Sequence, residues 1–296
     1  MELRQFKYLL SIAEEGTFTA AADKLFISQS ALSQQVKSME EELGVPLFDR
    51  SRNRLQLTEA GELLHQRAKR IVNEVDEAKR AIDELEQLYR GTLRIGVVQT
   101  VNAYLIPRVV SSFSTRYPNV TLKVHELSAP EIENTLYEHE LDLGISFKPT
   151  EYPDLTFDDL FEEELLLIVN GQHKLADREA ITVRELDRKK LILLSEGYCT
   201  RRIWNRCALE AGIESEVLIE MNTIAGLLAS LEDNPAAGTI LPALTMKMKA
   251  AGQLRSVRIK HPTPKRTVGL LWRNGGYRSK AAQKFADILD QHVNSM

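Results

Sequence analysis

Residues 26–37 read FISQSALSQQVK, and their polar side is almost entirely Ser and Gln. In a chain with 27% charged residues, a solvated helix face normally carries Glu and Lys, so hydroxyls and amides need a reason. Ala31, Leu32 and Val36 recur at helical spacing and form an apolar seat, leaving Gln29, Ser30, Ser33, Gln34 and Lys37 outside. Gln pairs with adenine through a donor and an acceptor together, Ser serves either role, and Lys reaches guanine or phosphate. No acidic residue follows until Glu40, so the face lacks carboxylates that phosphates would repel. An ordinary solvated helix accounts for the same residues, and the flanking sequence separates the two readings.

Upstream, Leu3, Phe6, Leu9, Leu10 and Ala13 keep the helical rhythm and Gly16 ends the segment. Thr17 stands as the N-cap of FTAAADKL, which runs through Leu25, and its three alanines let a neighbouring helix approach closely. The link Phe26–Ile27 then opens a third helix that runs to about Leu43 and stops at Gly44. Short helix, tight link and longer helix together predict a helix-turn-helix. Downstream, VPLFDRSRNRLQLT reads as a small β-hairpin, or wing. There Arg50, Arg52 and Arg54 alternate along one side, toward phosphates or a minor groove, with a solvated turn as the alternative.

From Thr58 to about Arg90, Leu64, Ala68, Ile71, Val75, Ala78, Ile82, Leu85 and Tyr89 hold a heptad seam. A helix packed on its own domain gives the same seam; the charged outer face and the position between two differently patterned regions favour dimerisation. From Thr92, short apolar runs (TLRIGVV, VTLKVHEL, LDLGISF, LLLIVN, LILLS, EVLIEM, GTILPA, TVGLLW) alternate with helical patterns. They predict two open α/β lobes with mostly parallel sheets and ligand space between them. Thr100, Ser128, Asn222 and Thr223 stand at strand-to-helix turns, where free N–H groups and the positive helix end suit a small anion or carboxylate. Plain N-capping is the competing explanation for each.

The remaining signals bound the class. The chain has 296 residues and a formal net charge of −4, so nucleic-acid contact has to come from local charge placement. The N-terminus lacks the apolar run of a signal peptide and no stretch reaches membrane-span length, which predicts a cytoplasmic protein without membrane partners. Six scattered histidines, no HExxH, no His–Cys metal spacing and no Gly-rich phosphate loop predict no enzyme, metal or cofactor. Cys199 and Cys207 are readable as a redox pair or, more simply, as neighbours on one helix.

LRQFKYLLSIAEEGTFTAAADKLFISQSALSQQVKSMEEELGVPLFDR, continued through LTEAGE, resembles the N-terminal module of the bacterial LysR-type transcriptional regulators. The likeness is close over about the first 65 residues, and the order and length of the rest agree with the family. It implies an α + α/β fold: a winged helix-turn-helix (1–57), a dimerising linker helix (58–90) and a two-lobed, periplasmic-binding-protein-like effector domain (91–296). Lobe I would span about 91–161 and 267–296, and lobe II about 162–266. The resemblance further implies a homodimer or homotetramer, a partly palindromic double-stranded DNA site, contact with RNA polymerase, and an effector held between the lobes. By the same carry-over Phe147, Ser195 and Thr200 join the effector residues. YLIPRVVSSFSTRYPNVTL, ELDLGISF and IEMNTIAGLLASL look most like the cyanate-operon regulator subgroup. Ser30 departs from the proline frequent at that position in the family. Two rival classes explain less: a small-molecule binding protein or transferase leaves the first 90 residues without purpose, and a DNA-architectural protein would be strongly basic and need no effector half.

Overall fold

A computed structural model of the chain describes residues 1–49, 55–85, 91–148, 153–248 and 253–295. These fall into two compact units, Met1–Leu88 with Tyr137–Glu140, and Tyr89–Leu136 with Leu141–Met296.

The first unit contains α1 (Leu3–Glu15), α2 (Phe18–Leu25), α3 (Gln29–Leu43), β1 (Phe48–Asp49), β2 (Gln56–Leu57) and α4 (Glu59–Leu85). Local chemistry sets most of these bounds. Gly16 and Gly44 take the left-handed conformation that closes α1 and α3. Thr17 Oγ1 accepts from Ala20 N, and Ser28 Oγ accepts from Ala31 N, each at 3.2 Å. Phe6, Leu9, Ile12, Ala21, Ala22, Leu32, Val36, Met39, Leu47 and Phe48 form one core, with Ile12 rather than Ala13 completing the buried stripe of α1. Glu40 accepts from Leu47 N at 2.8 Å, tying α3 to the two-stranded wing, where Phe48 faces Leu57 and Asp49 faces Gln56.

The seam of α4 divides. Ala68 is fully buried in the first unit's own core and Leu64 packs against it, whereas Ile71 (41% exposed) and Ile82 (64% exposed) stand free, together with Leu63. Intramolecular packing therefore takes the start of the seam and leaves Ile71 and Ile82 exposed. Tyr89 lies outside the described residues.

The second unit contains β3 (Gly91–Val98), α5 (Gln99–Tyr104), α6 (Ile106–Arg116), β4 (Val120–Leu127), α7 (Ala129–Tyr137), β5 (Leu143–Phe147) and β6 (Leu155–Asn170). It continues with β7 (Ala180–Thr182), β8 (Lys190–Leu194), α8 (Cys199–Ala211), β9 (Glu216–Met221), α9 (Ile224–Glu232), β10 (Gly238–Pro242), β11 (Leu254–Lys260), β12 (Lys265–Arg273) and α10 (Lys280–Val293). Strand order is β4-β3-β5-β12-β6-β10-β8-β9, with β11 beside β6 and β7. One core gathers β3, β5 and β12 with α6 and α10 around Phe113 and Phe285; two others flank β6, β8 and β10 around Trp204 and Leu227.

The sheets are mixed, not mostly parallel. β3 pairs parallel with β4 and β5, and β8 with β9 and β10, but β6 and β12 run antiparallel to their neighbours. The cause is β6, sixteen residues long, whose first part pairs with β12 and whose last part pairs with β10 and β11. Shared between the β12 side and the β10 side of the sheet, this strand brings the chain across once, and β12 brings it back. This crossing sets Arg266 opposite Glu163 in the ladder, so both side chains project on one face.

Candidate functional site

Two surfaces carry the sequence-predicted residues, one in each unit. On α3, Leu32, Val36 and Met39 are fully buried at i, i+4, i+7 and seat the helix. Ala31 is exposed, which corrects its placement in the seat: one residue ahead of that stripe, it projects with Gln34. Gln29, Ser30, Gln34 and Lys37 are exposed and Ser33 is half-buried, so the five form the outer face. Few of their polar groups are engaged. Ser30 Oγ lies 3.1 Å from Ser28 Oγ. Lys37 Nζ sits 3.6 Å from Glu41, an exposed i,i+4 pair worth on the order of 0.3–0.5 kcal/mol and readily exchanged for a phosphate. Arg50, Arg52 and Arg54 lie outside the described residues.

In the second unit, Thr100, Ser128, Phe147 and Thr200 line one narrow cleft with Gln99, Cys199 and Arg266. Ser195, Asn222 and Thr223 do not line it. Ser195 N–H and hydroxyl donate to the Met221 carbonyl, and Thr223 caps α9 through Gly226 N. Asn222 contributes its carbonyl, which accepts from Gln99 Nε2 at 2.8 Å and Tyr198 OH at 3.0 Å. For Ser195 and Thr223, turn and capping chemistry accounts for the residue type, whereas the Asn222 contacts are made by its main chain. Ser128 lines the cleft yet also caps: its N–H and hydroxyl both donate to Glu131 (2.8 and 2.6 Å), holding that carboxyl below its ordinary range. Thr100 is the second residue of the six-residue α5, in its first turn rather than at the cap position, which Val98 holds.

What organises the cleft is Arg266, whose side chain is 3% exposed and which sequence reading passed over. Its Nε and Nη2 donate to Glu163 Oε1 at 2.8 and 2.5 Å, Nη1 to Thr200 Oγ1 at 2.9 Å, and Nη2 to Thr100 Oγ1 at 2.7 Å. The guanidinium lies over the Phe147 ring, 4.4 Å from its centroid. Tyr104 OH donates to the other Glu163 oxygen at 3.0 Å, and burial, with Glu163 beside it, raises the phenol and keeps it protonated. Charge is thus balanced inside the cluster. Because both threonine oxygens accept from Arg266, each hydroxyl hydrogen remains to be donated, which makes this end of the cleft a donor pair for an incoming acceptor.

The cleft, about 20 Å³, admits a single group; it shares Ala129, Phe147, Cys199 and Arg266 with a wider cavity of about 450 Å³, within the range of small-molecule sites. Cys199 borders both, but redox pairing with Cys207 is not available to the folded helix. Eight residues along α8 separate the two by about 12 Å, against roughly 4.4–6.8 Å between the Cα atoms of a disulfide. Burial pushes both thiols up, for Cys199 despite Arg266, Arg202 and Arg206 nearby.

Among the described residues, one group offers metal-ligand atoms within reach of one another, Glu74, Glu77 and His139, and none of these lines the cavity. No helix among them is long and apolar enough to cross a membrane.

Residues 3–62 match the model of the bacterial regulatory helix-turn-helix protein, lysR family, and residues 86–294 match the LysR substrate binding domain. The chain is 33% identical over 291 residues to a probable RuBisCO transcriptional regulator of Cyanophora paradoxa, covering 96% of this chain and 90% of that one. It is 31% identical over 294 residues to the DNA-binding transcriptional dual regulator OxyR of Escherichia coli, covering 98% and 95%. Among solved structures, a full-length OxyR variant from Pseudomonas aeruginosa superposes with a TM-score of 0.75 at 26% identity, covering 99% of this chain and 95% of that one. Full-length CbnR in complex with its target DNA shares the fold, with a TM-score of 0.70 at 23% identity over 100% and 99% of the two chains. Matched over nearly its whole length, by a helix-turn-helix model at the N-terminus and a substrate-binding model after it, the chain belongs to the LysR family of transcriptional regulators.

Proposed function

We propose that this LysR-type regulator responds to a small anionic effector seated at Thr100, Thr200 and Arg266, with Ser128 and Phe147 on the walls. The observation that carries the reading is the pair of buried threonine hydroxyls, each fixed as acceptor toward Arg266 and so left as donor toward the cleft. Oriented donors in a low-dielectric pocket suit a carboxylate or phosphate oxygen. Ser195, Asn222 and Thr223 take supporting roles in this scheme, Asn222 by positioning Gln99.

On the DNA side, Gln29, Ser30, Ser33, Gln34 and Lys37 meet base edges, and Arg50, Arg52 and Arg54 meet phosphates or the adjacent minor groove. Residues 1–57 form the DNA-binding module, 58–90 the dimerising helix and 91–296 the effector domain. Ile71 and Ile82, exposed on α4, supply apolar contact for a second copy, and dimers of dimers bind a partly palindromic site in the cytoplasm. Effector binding acts through unequal affinity for two arrangements of the assembly, changing DNA bending and contact with RNA polymerase. The relatives named above are RuBisCO and OxyR regulators, so the three stretches quoted earlier alone carry the likeness to the cyanate-operon regulator.

Thermal-shift measurements on the full chain with a panel of small carboxylates and inorganic phosphate test the effector reading. A melting temperature that rises with anion concentration, and a rise abolished by Thr200→Val, is expected. A melting temperature insensitive to every anion, or a rise retained by Thr200→Val, contradicts it.

A further inference from the structure

Beyond the narrow cleft, the wider cavity is lined by Lys148, Arg202, Arg206 and Arg266 with Glu133 as its carboxylate. Arg266 is ion-paired with Glu163. Glu133 is itself engaged by other groups. Lys148, Arg202 and Arg206, by contrast, make no ion pair among the described residues. Arg202 and Arg206 stand at i,i+4 on α8, on the face that also presents Cys199, and both are exposed to the cavity mouth. Like charges at this spacing disfavour a helix unless an anion lies against them.

We infer that the effector carries at least two anionic groups, one entering the cleft at Thr100 and Thr200 and the other held by Arg202, Arg206 and Lys148. This rests on the effector reading above and narrows its chemical class to di- or tricarboxylates and bisphosphate esters. The sizes of the two spaces support the division: about 20 Å³ admits one head group, and about 450 Å³ holds a body with a second charge. So does their electrostatics. The cleft end is charge-balanced by Glu163 and offers hydrogen bonds without net charge, so a monoanion gains little Coulomb attraction there. The three unpaired cations supply it, and guanidinium forks grip carboxylate or phosphate oxygens in pairs.

Isothermal titration calorimetry on the full chain, at fixed ionic strength, with acetate against citrate and glycerol 3-phosphate against 2,3-bisphosphoglycerate, tests this. At least one probe with several anionic groups is expected to bind ten-fold or more tightly than its counterpart with one anionic group. Arg202→Ala combined with Arg206→Ala is expected to reduce that ratio to below about three-fold. Equal affinity within both pairs, with the single-group probes binding, overturns the class and leaves the anionic effector standing. A ratio unchanged in the double variant places the second charge elsewhere and also overturns it. If no probe of either charge binds, the effector reading itself falls.

Discussion

The outer face of α3 and the Arg266 cluster are both polar, and they are built in opposite ways. On α3 the amides and hydroxyls stand in solvent with almost no partners inside the chain, so their hydrogen-bonding capacity is left for another molecule. Around Arg266 the strongest groups are buried and consume one another, and what is left over is two hydroxyl hydrogens and, farther out, three cations. A surface of the first kind can lose a side chain without harm to the fold. A cluster of the second kind cannot, because each member left alone is an unsatisfied buried group.

That contrast breaks most readily at Arg266. Arg266→Ala strands the Glu163 carboxylate, 7% exposed, and is expected to lower unfolding stability by about 3–5 kcal/mol in urea titration. A loss below about 1 kcal/mol would show that the pair is no more constrained than a surface one. Ser28→Ala removes the cap of α3 and is expected to lower stability by about 1 kcal/mol, read by the same titration. Gln29→Ala, one residue on and exposed, is expected to change stability by less than about 0.5 kcal/mol, which sharpens the distinction between framework and reading face. For the wing, Arg52→Ala is expected to lower the salt slope of DNA binding by about 1; an unchanged slope removes Arg52 from the phosphate contacts. The smallest effect is expected at Cys199. With its thiol held above the ordinary cysteine range by burial, it stays protonated at neutral pH and reacts with iodoacetamide more slowly than free cysteine, a rate that rises as pH approaches the raised value.

The same contrast explains what could be read in the chain before its fold was known. α3 announces itself because everything that defines it is local: the i, i+4, i+7 stripe of Leu32, Val36 and Met39, the Ser28 cap and the Gly44 stop. Thr100, Ser128, Phe147 and Thr200 were reached by strand-to-helix position and family likeness, and they share one cleft. Arg266 was missed because its meaning depends on Glu163, 103 residues away, through the register of two antiparallel strands. The sequence did hold a trace of it. FEEELLLIVN and KRTVGLLW each carry charges at the start of an apolar run, and such charges inside a strand need partners. The expectation of mostly parallel sheets failed for the same non-local reason, since short apolar runs do not reveal strand direction. β11 was overlooked although LRSVRIK alternates Val257 and Ile259 with Arg258 and Lys260, the period-two pattern of a half-buried strand.

The account turns on α3 reading base edges through its uncharged face. Fluorescence anisotropy of the full chain on an operator selected from genomic fragments, and on a scrambled duplex, with Ser33→Ala and Gln34→Ala, measures this directly. Each variant is expected to lose about 1–3 kcal/mol on the operator while binding to the scrambled duplex stays within error. An equal loss on both duplexes would make these residues phosphate contacts and contradict base readout by this helix.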